Sequence, residues 1–198
     1  MKYPDFFDTI ETIKLQDKLS AFLGSVEGGL VEFSYLDIVK TAGHSCPTVA
    51  GAYLMTREGL KALYRDETPI RGEIFASFKE TATEGVAGVI GNVVTQITGA
   101  TATSGFKGIG GQFARHSLME FEADTAASVK FTRLDTGATV EVTYDPSSIQ
   151  GDPAQPEIMQ RLRQGMATPE DKAIFGPMWQ KRVAAIFQNA NQVITVKS

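Results

Sequence analysis

The stretch Thr41-Ala42-Gly43-His44-Ser45-Cys46-Pro47-Thr48 constrains the fold most, because it dictates a sharp turn and then a helix start. Gly43 permits the turn. Pro47 suits the first helical position, where its missing N–H has no helical partner to lose, and this makes Cys46 the N-cap. The helix then runs through Ala50, Ala52, Tyr53, Leu54, Leu60, Ala62 and Leu63 to about Tyr64, with Gly51 and Gly59 as weak points. Its free N–H groups and positive dipole end face the sulfur, which favours a thiolate. The same stretch holds the only cysteine and one of the two histidines. A single intervening residue can put His44 and Cys46 on one side of an extended loop, as half of a transition-metal site. The opposite reading stands beside it: a lone cysteine often packs as a small hydrophobe, and a lone histidine is often merely hydrogen-bonded.

Gly43-His44-x-Cys46-Pro47 ahead of a small-residue-rich helix resembles the Gly-His-x-Cys-Pro-Gly opening of the FmdE-like proteins, a family named after formylmethanofuran dehydrogenase. Ile97-Thr98-Gly99-Ala100-Thr101 is similar to that family's Thr-Gly-Cys-Thr segment, and Gly108-Ile109-Gly110-Gly111 to its Gly-x-Gly-Asn turn before a strand. The resemblance covers roughly Leu36 to Tyr144. It implies an α+β core, a metal (often zinc) near the His and Cys, and association into dimers; it implies no particular reaction. Three positions depart from the pattern. Thr48 replaces the second glycine, Ala100 stands where many members have a second cysteine, and no cysteine occurs from Glu80 to Gly85, where some have another. A multi-thiolate site within one chain is therefore excluded.

Structural zinc takes four protein ligands, whereas catalytic zinc takes three plus water. Unless other residues or a second chain contribute, His44 and Cys46 leave an open site, suited to exchange, sensing or Lewis-acid chemistry. His116, Glu80, Glu84, Asp37 and water are the candidates for the remaining positions, with His116 the third ligand in the favoured set. Zinc is the expected metal, with nickel or iron as alternatives. Glu80 and Glu84, in the polar loop Lys79–Gly85, are candidates for a hard ligand or a general base. The Gly/Thr-rich segment from Thr98 to Gly111 can present backbone N–H groups to an anion, making Thr98, Thr101 and Lys107 candidates for substrate binding. It satisfies neither the Walker nor the dinucleotide fingerprint. Three functions remain open: a metal-binding accessory or sensor, a metal-dependent enzyme acting on a small polar substrate, and a metal-free redox or nucleophilic thiolate at Cys46.

Elsewhere the patterning predicts an amphipathic helix from Asp5 to Leu23, a strand or the end of a buried segment at Leu30–Val39, and a strand at Ile70–Phe78. A buried helix follows over Val86–Ile97. Gln112–Glu122 alternates as a strand, with His116 facing away from Arg115. Ala127–Leu134 and Ala138–Tyr144 flank Asp135-Thr136-Gly137, a hairpin signal. Glu157–Gln164 and Pro169–Asn189 read as helices, the second opened by Thr168 as cap and Pro169 at the first position. The expected architecture is α+β: a mixed or antiparallel sheet packed against helices, with a core over 1–145 and a helical C-terminal extension over 146–198 that packs on the core or on a partner subunit.

At 198 residues the chain is long enough for one well-buried domain. Its net charge of −4, with no basic run, argues against nonspecific nucleic-acid binding. One cysteine rules out an intrachain disulfide. No run reaches the apolar length of a membrane span, and the first residues lack a signal-peptide core, so a cytoplasmic location is the expectation; a homodimer is what the FmdE-like resemblance implies.

Overall fold

The computed structural model describes residues 1–198. Its sheet has five strands in the order β4-β3-β5-β6-β7: β3 (Ile74–Phe78), β4 (Met119–Glu120), β5 (Val129–Arg133), β6 (Thr139–Tyr144) and β7 (Ile194–Lys197). β4 joins β3 in parallel and every other pairing is antiparallel, so the sheet is mixed. β1 (Ile13–Gln16) and β2 (Leu30–Phe33) form a separate antiparallel pair. The helices are α1 (Lys18–Phe22), α2 (Tyr35–Ala42), α3 (Pro47–Tyr64), α4 (Ala87–Thr98), α5 (Gln155–Arg163), α6 (Pro169–Gln188) and α7 (Ala190–Val193). This is the α+β architecture expected from the patterning, with helices following residue 146.

The centre of the fold is α3. Tyr53, Leu54, Met55 and Leu60 are fully buried in it, because its neighbours surround it: the sheet, α2, α4 and α6. The two glycines that weaken it as an isolated helix are contact points. The Tyr144 ring lies over Gly51, and the Phe131 ring and Val142 lie over Gly59. The β5–β6 hairpin forms in the predicted place, pairing Val129 with Val142 and Phe131 with Val140 on the buried face. The last residues return to the same core. Val183, Ile186, Val193 and Ile194 are buried in it, and β7 pairs with β6, a strand that the sequence patterning does not reveal.

Three expectations are corrected. Asp5–Leu23 is not one helix but a short 3-10 turn at Asp5–Thr9, then β1, then α1. Ile13 and Leu15 are buried while Lys14 is exposed, a two-residue alternation that the near-helical spacing of the larger residues disguises. Asp17 then caps α1, accepting from the Ser20 N–H at 3.0 Å. Leu30–Val39 is extended only to Phe33. Ser34 and Asp37 make a reciprocal capping box, the Ser34 Oγ accepting from the Asp37 N–H at 3.2 Å and the Asp37 carboxylate from the Ser34 N–H at 3.0 Å. Gln112–Glu122 is strand only at Met119–Glu120, because Arg115 turns inward to a buried ion pair and Phe113 and Ser117 take positive φ.

The start of α6 follows its sequence signature. The Thr168 hydroxyl accepts from the Asp171 N–H at 3.1 Å, and the Asp171 carboxylate accepts from the Thr168 N–H at 3.0 Å. Thr168→Ala is expected to cost about 1 kcal/mol. In urea denaturation this appears as a lower midpoint at unchanged slope.

Candidate functional site

The site loop is set between two helices. Gly43, at φ 74°, closes α2 with its N–H donating to the Val39 carbonyl at 2.9 Å, and the chain then reverses into His44 and Ser45. Cys46 is extended and caps α3, its Sγ accepting from the Val49 N–H at 3.4 Å. The cysteine is half-buried and His44 is exposed. His44 Nδ1 donates to the Ala42 carbonyl at 3.0 Å, which fixes the tautomer and leaves Nε2 free.

Ser45, between the two, is clamped by α6. Its carbonyl accepts from Trp179 Nε1 at 2.9 Å and Gln180 Nε2 at 3.1 Å, and its hydroxyl donates to Gln180 Oε1 at 2.9 Å. The Tyr35 hydroxyl lies 2.9 Å from the same Ser45 Oγ. The Tyr144 hydroxyl donates to the Pro47 carbonyl at 2.8 Å. Burial pushes both phenols up, and the Cys46 sulfur beside them adds to the effect, so both stay protonated donors at neutral pH. Sequence reasoning missed all four of these supports. Trp179 reads only as bulk on an apolar stripe, and Tyr144 only as the end of a strand.

The other candidates are dispersed. Asp37 is engaged in its capping box and lies 3.6 Å from Lys40 Nζ. His116 is half-buried, its Nδ1 2.9 Å from the Ser117 hydroxyl. Glu84 is exposed, and its carbonyl accepts the Ala87 N–H at the start of α4. Thr98 is buried, its hydroxyl donating to the Val94 carbonyl at 2.7 Å, and the Thr101 hydroxyl donates to the Arg115 carbonyl at 2.8 Å. Both hydroxyls thus donate to backbone carbonyls, the first within α4 and the second across to Arg115. Lys107 is exposed. No three His, Cys, Asp or Glu side chains come together in a group that could hold a metal ion.

Glu80, by contrast, borders a cavity of about 390 Å³ at one end of the sheet, where β3 and β6 finish and α3 and α4 begin. Thr48 and Tyr144 line it as well, so the cavity adjoins the first turn of the helix that Cys46 caps.

The family model described as "FmdE, Molybdenum formylmethanofuran dehydrogenase operon" matches residues 41–196. The chain belongs to the FmdE family. The FmdE match opens on the site loop and ends within β7, so it takes in the α6 residues that clamp Ser45 as well as the sheet. Comparison with curated proteins finds no match. The FmdE resemblance implies a metal near His44 and Cys46, and these two residues supply one nitrogen and one sulfur on a single loop. His44 offers a free Nε2 on a ring held by a backbone carbonyl, the usual support of a metal-binding imidazole, and Cys46 offers sulfur on the same braced loop. It does not form a closed four-ligand site. No helix is long and apolar enough to cross a membrane.

Proposed function

We propose that this FmdE-family protein binds one divalent transition metal, zinc by preference, through His44 Nε2 and the Cys46 sulfur, with the remaining positions open to water, a small ligand or a second copy of the chain. The observation that carries the reading is the His44 Nδ1–Ala42 carbonyl bond, which turns the free nitrogen outward two residues from a half-buried thiol. When bound, such a metal supplies Lewis acidity toward whatever fills its open positions. The chain's own contribution is orientation: Trp179, Gln180 and Tyr35 fix Ser45, and Tyr144 fixes Pro47, so the two donors sit on a loop with little freedom.

Metal content of protein purified without a metal-binding tag tests this. Wild type is expected to hold about one transition metal per chain, and Cys46→Ser and His44→Ala each to lose at least about tenfold in affinity. Unchanged stoichiometry in both variants overturns the reading. Light scattering with and without zinc then tells whether a second copy completes the site, since a shared metal makes the dimer metal-dependent.

A further inference from the structure

The geometry points to a binding site, separate from the metal donors, for a small organic anion with an apolar body in the cavity at the sheet end. The volume of about 390 Å³ lies near the lower end of the range of small-molecule pockets. Its inner wall is apolar, formed by Met55, Phe78 and Ile90, three residues of the hydrophobic core. The lining also carries polar groups: Thr48, Lys79, Ser128 and Thr143. A cavity of that kind takes a molecule with an apolar body and a polar end.

Three features set the sign of that end. Thr48 is the second residue of α3, eighteen residues long, and Ala87 the first of α4, twelve residues long, so both helices present their positive ends to the same space. α4 has no side-chain cap, because Val86 occupies the cap position, and its first turn keeps donors that a capping oxygen would otherwise occupy. Lys79 is an exposed lining residue and enters none of the chain's ion pairs. Glu80 beside it opposes an anion, so the attraction comes from Lys79 and the two helix ends acting against one carboxylate. Neither His44 nor Cys46 lines the cavity, and binding there does not depend on the metal.

The test is titration of the full-length protein with 3-phenylpropanoate and with its uncharged analogue 3-phenylpropanamide, followed by calorimetry and amide chemical shifts. The acid is expected to bind about tenfold more tightly than the amide, the difference made by one charge-assisted contact. Lys79→Met should shrink that difference, leaving the part due to the two helix ends, and Glu80→Gln should strengthen binding of the acid severalfold. Ala126→Trp, at an exposed lining position, should block both probes at an unchanged melting temperature. His44→Ala and Cys46→Ser should bind the acid as wild type does, which separates failure here from failure of the metal reading. Equal binding of acid and amide, no binding of either, or weaker binding of the acid by Glu80→Gln overturns the proposal.

Discussion

Asp17→Ala is expected to lower folding stability by about 3–5 kcal/mol, the range for removing one partner of a buried ion pair. Asp17 is only 3% exposed and Arg115 only 7%. Its carboxylate accepts from Arg115 at 2.8 Å, Arg71 at 2.9 Å and the Ser20 N–H at 3.0 Å. Arg71 has other acceptors, the Ile97 and Gln96 carbonyls at 3.0 Å each, and its guanidinium lies over the Phe33 ring. Arg115 has only Asp17, and it is packed against Gly72 and Gly99, where any side chain would displace it. The alanine variant therefore leaves a buried guanidinium unpaired beside another cation. Guanidinium denaturation measures the loss. Asp17→Ala combined with Arg115→Met should recover much of it, because removing both charges is cheaper than stranding one. A loss below about 1 kcal/mol in the single variant would mean that Arg115 finds water or another acceptor.

The same cluster has a pH signature. Burial pushes the Asp17 carboxyl up, but the Ser20 N–H, Arg71 and Arg115 together outweigh it and hold it below its ordinary value. A carboxyl lowered on folding adds stability that is present above the unfolded value of about 4 and is lost as pH falls below it. The stability gap between wild type and Asp17→Asn should therefore be constant near neutrality and narrow progressively below about pH 4.

This network also marks the limit of what can be read from the sequence. The start of α3, the β5–β6 hairpin and the cap of α6 are each specified by residues within about four positions of one another, and all three form as read. The pairing of Asp17 with Arg115 spans 98 residues, and nothing local announces it. Alternation from Gln112 to Glu122 suggests a strand, yet Arg115 is drawn inward by a charge from the other end of the fold and Phe113 and Ser117 bend the chain around it. Ile13 to Gln16 is a strand for a similar reason. Its partner β2 supplies the hydrogen bonds, and tertiary pairing overrides a spacing that also suits a helix.

At the site the division is the same. Cys46 and Pro47 declare a helix start, and the structure gives them the cap geometry expected. What makes the loop rigid comes from Tyr35, Tyr144, Trp179 and Gln180, which belong to three other elements. The resemblance ends near Tyr144, whereas the family match runs on to 196, across the helix that holds Ser45. In the Gly/Thr segment, the Thr98 hydroxyl donates to the Val94 carbonyl of α4 and the Thr101 hydroxyl to the Arg115 carbonyl, pairings that the composition of the segment does not announce.

Gly51→Ala should destabilise the protein by about 1–3 kcal/mol, although in an exposed helix it would add about 1 kcal/mol. A Cβ at this position would lie 2.6 Å from Cδ1 and 2.5 Å from Cζ of Tyr144, and closer still to Cε1, contacts that no rotation of a methyl relieves. The ring must move, since α3 is held between the sheet and α2, α4 and α6. Moving it breaks the 2.8 Å bond from the Tyr144 hydroxyl to the Pro47 carbonyl and disturbs one wall of the cavity. The effect therefore reaches the site from four residues along the helix. Placed in a Tyr144→Ala background, the same substitution meets no ring and should become stabilising, by up to about 1 kcal/mol. This change of sign, read in a double-mutant cycle by chemical denaturation, gives a coupling of about 1–4 kcal/mol. Additive effects would mean that Tyr144 neither rests on Gly51 nor braces Pro47. Metal affinity measured on the single variant then reports how far the donors depend on that brace: a fall with His44 and Cys46 intact would show that Tyr144 positions a loop it does not itself complete.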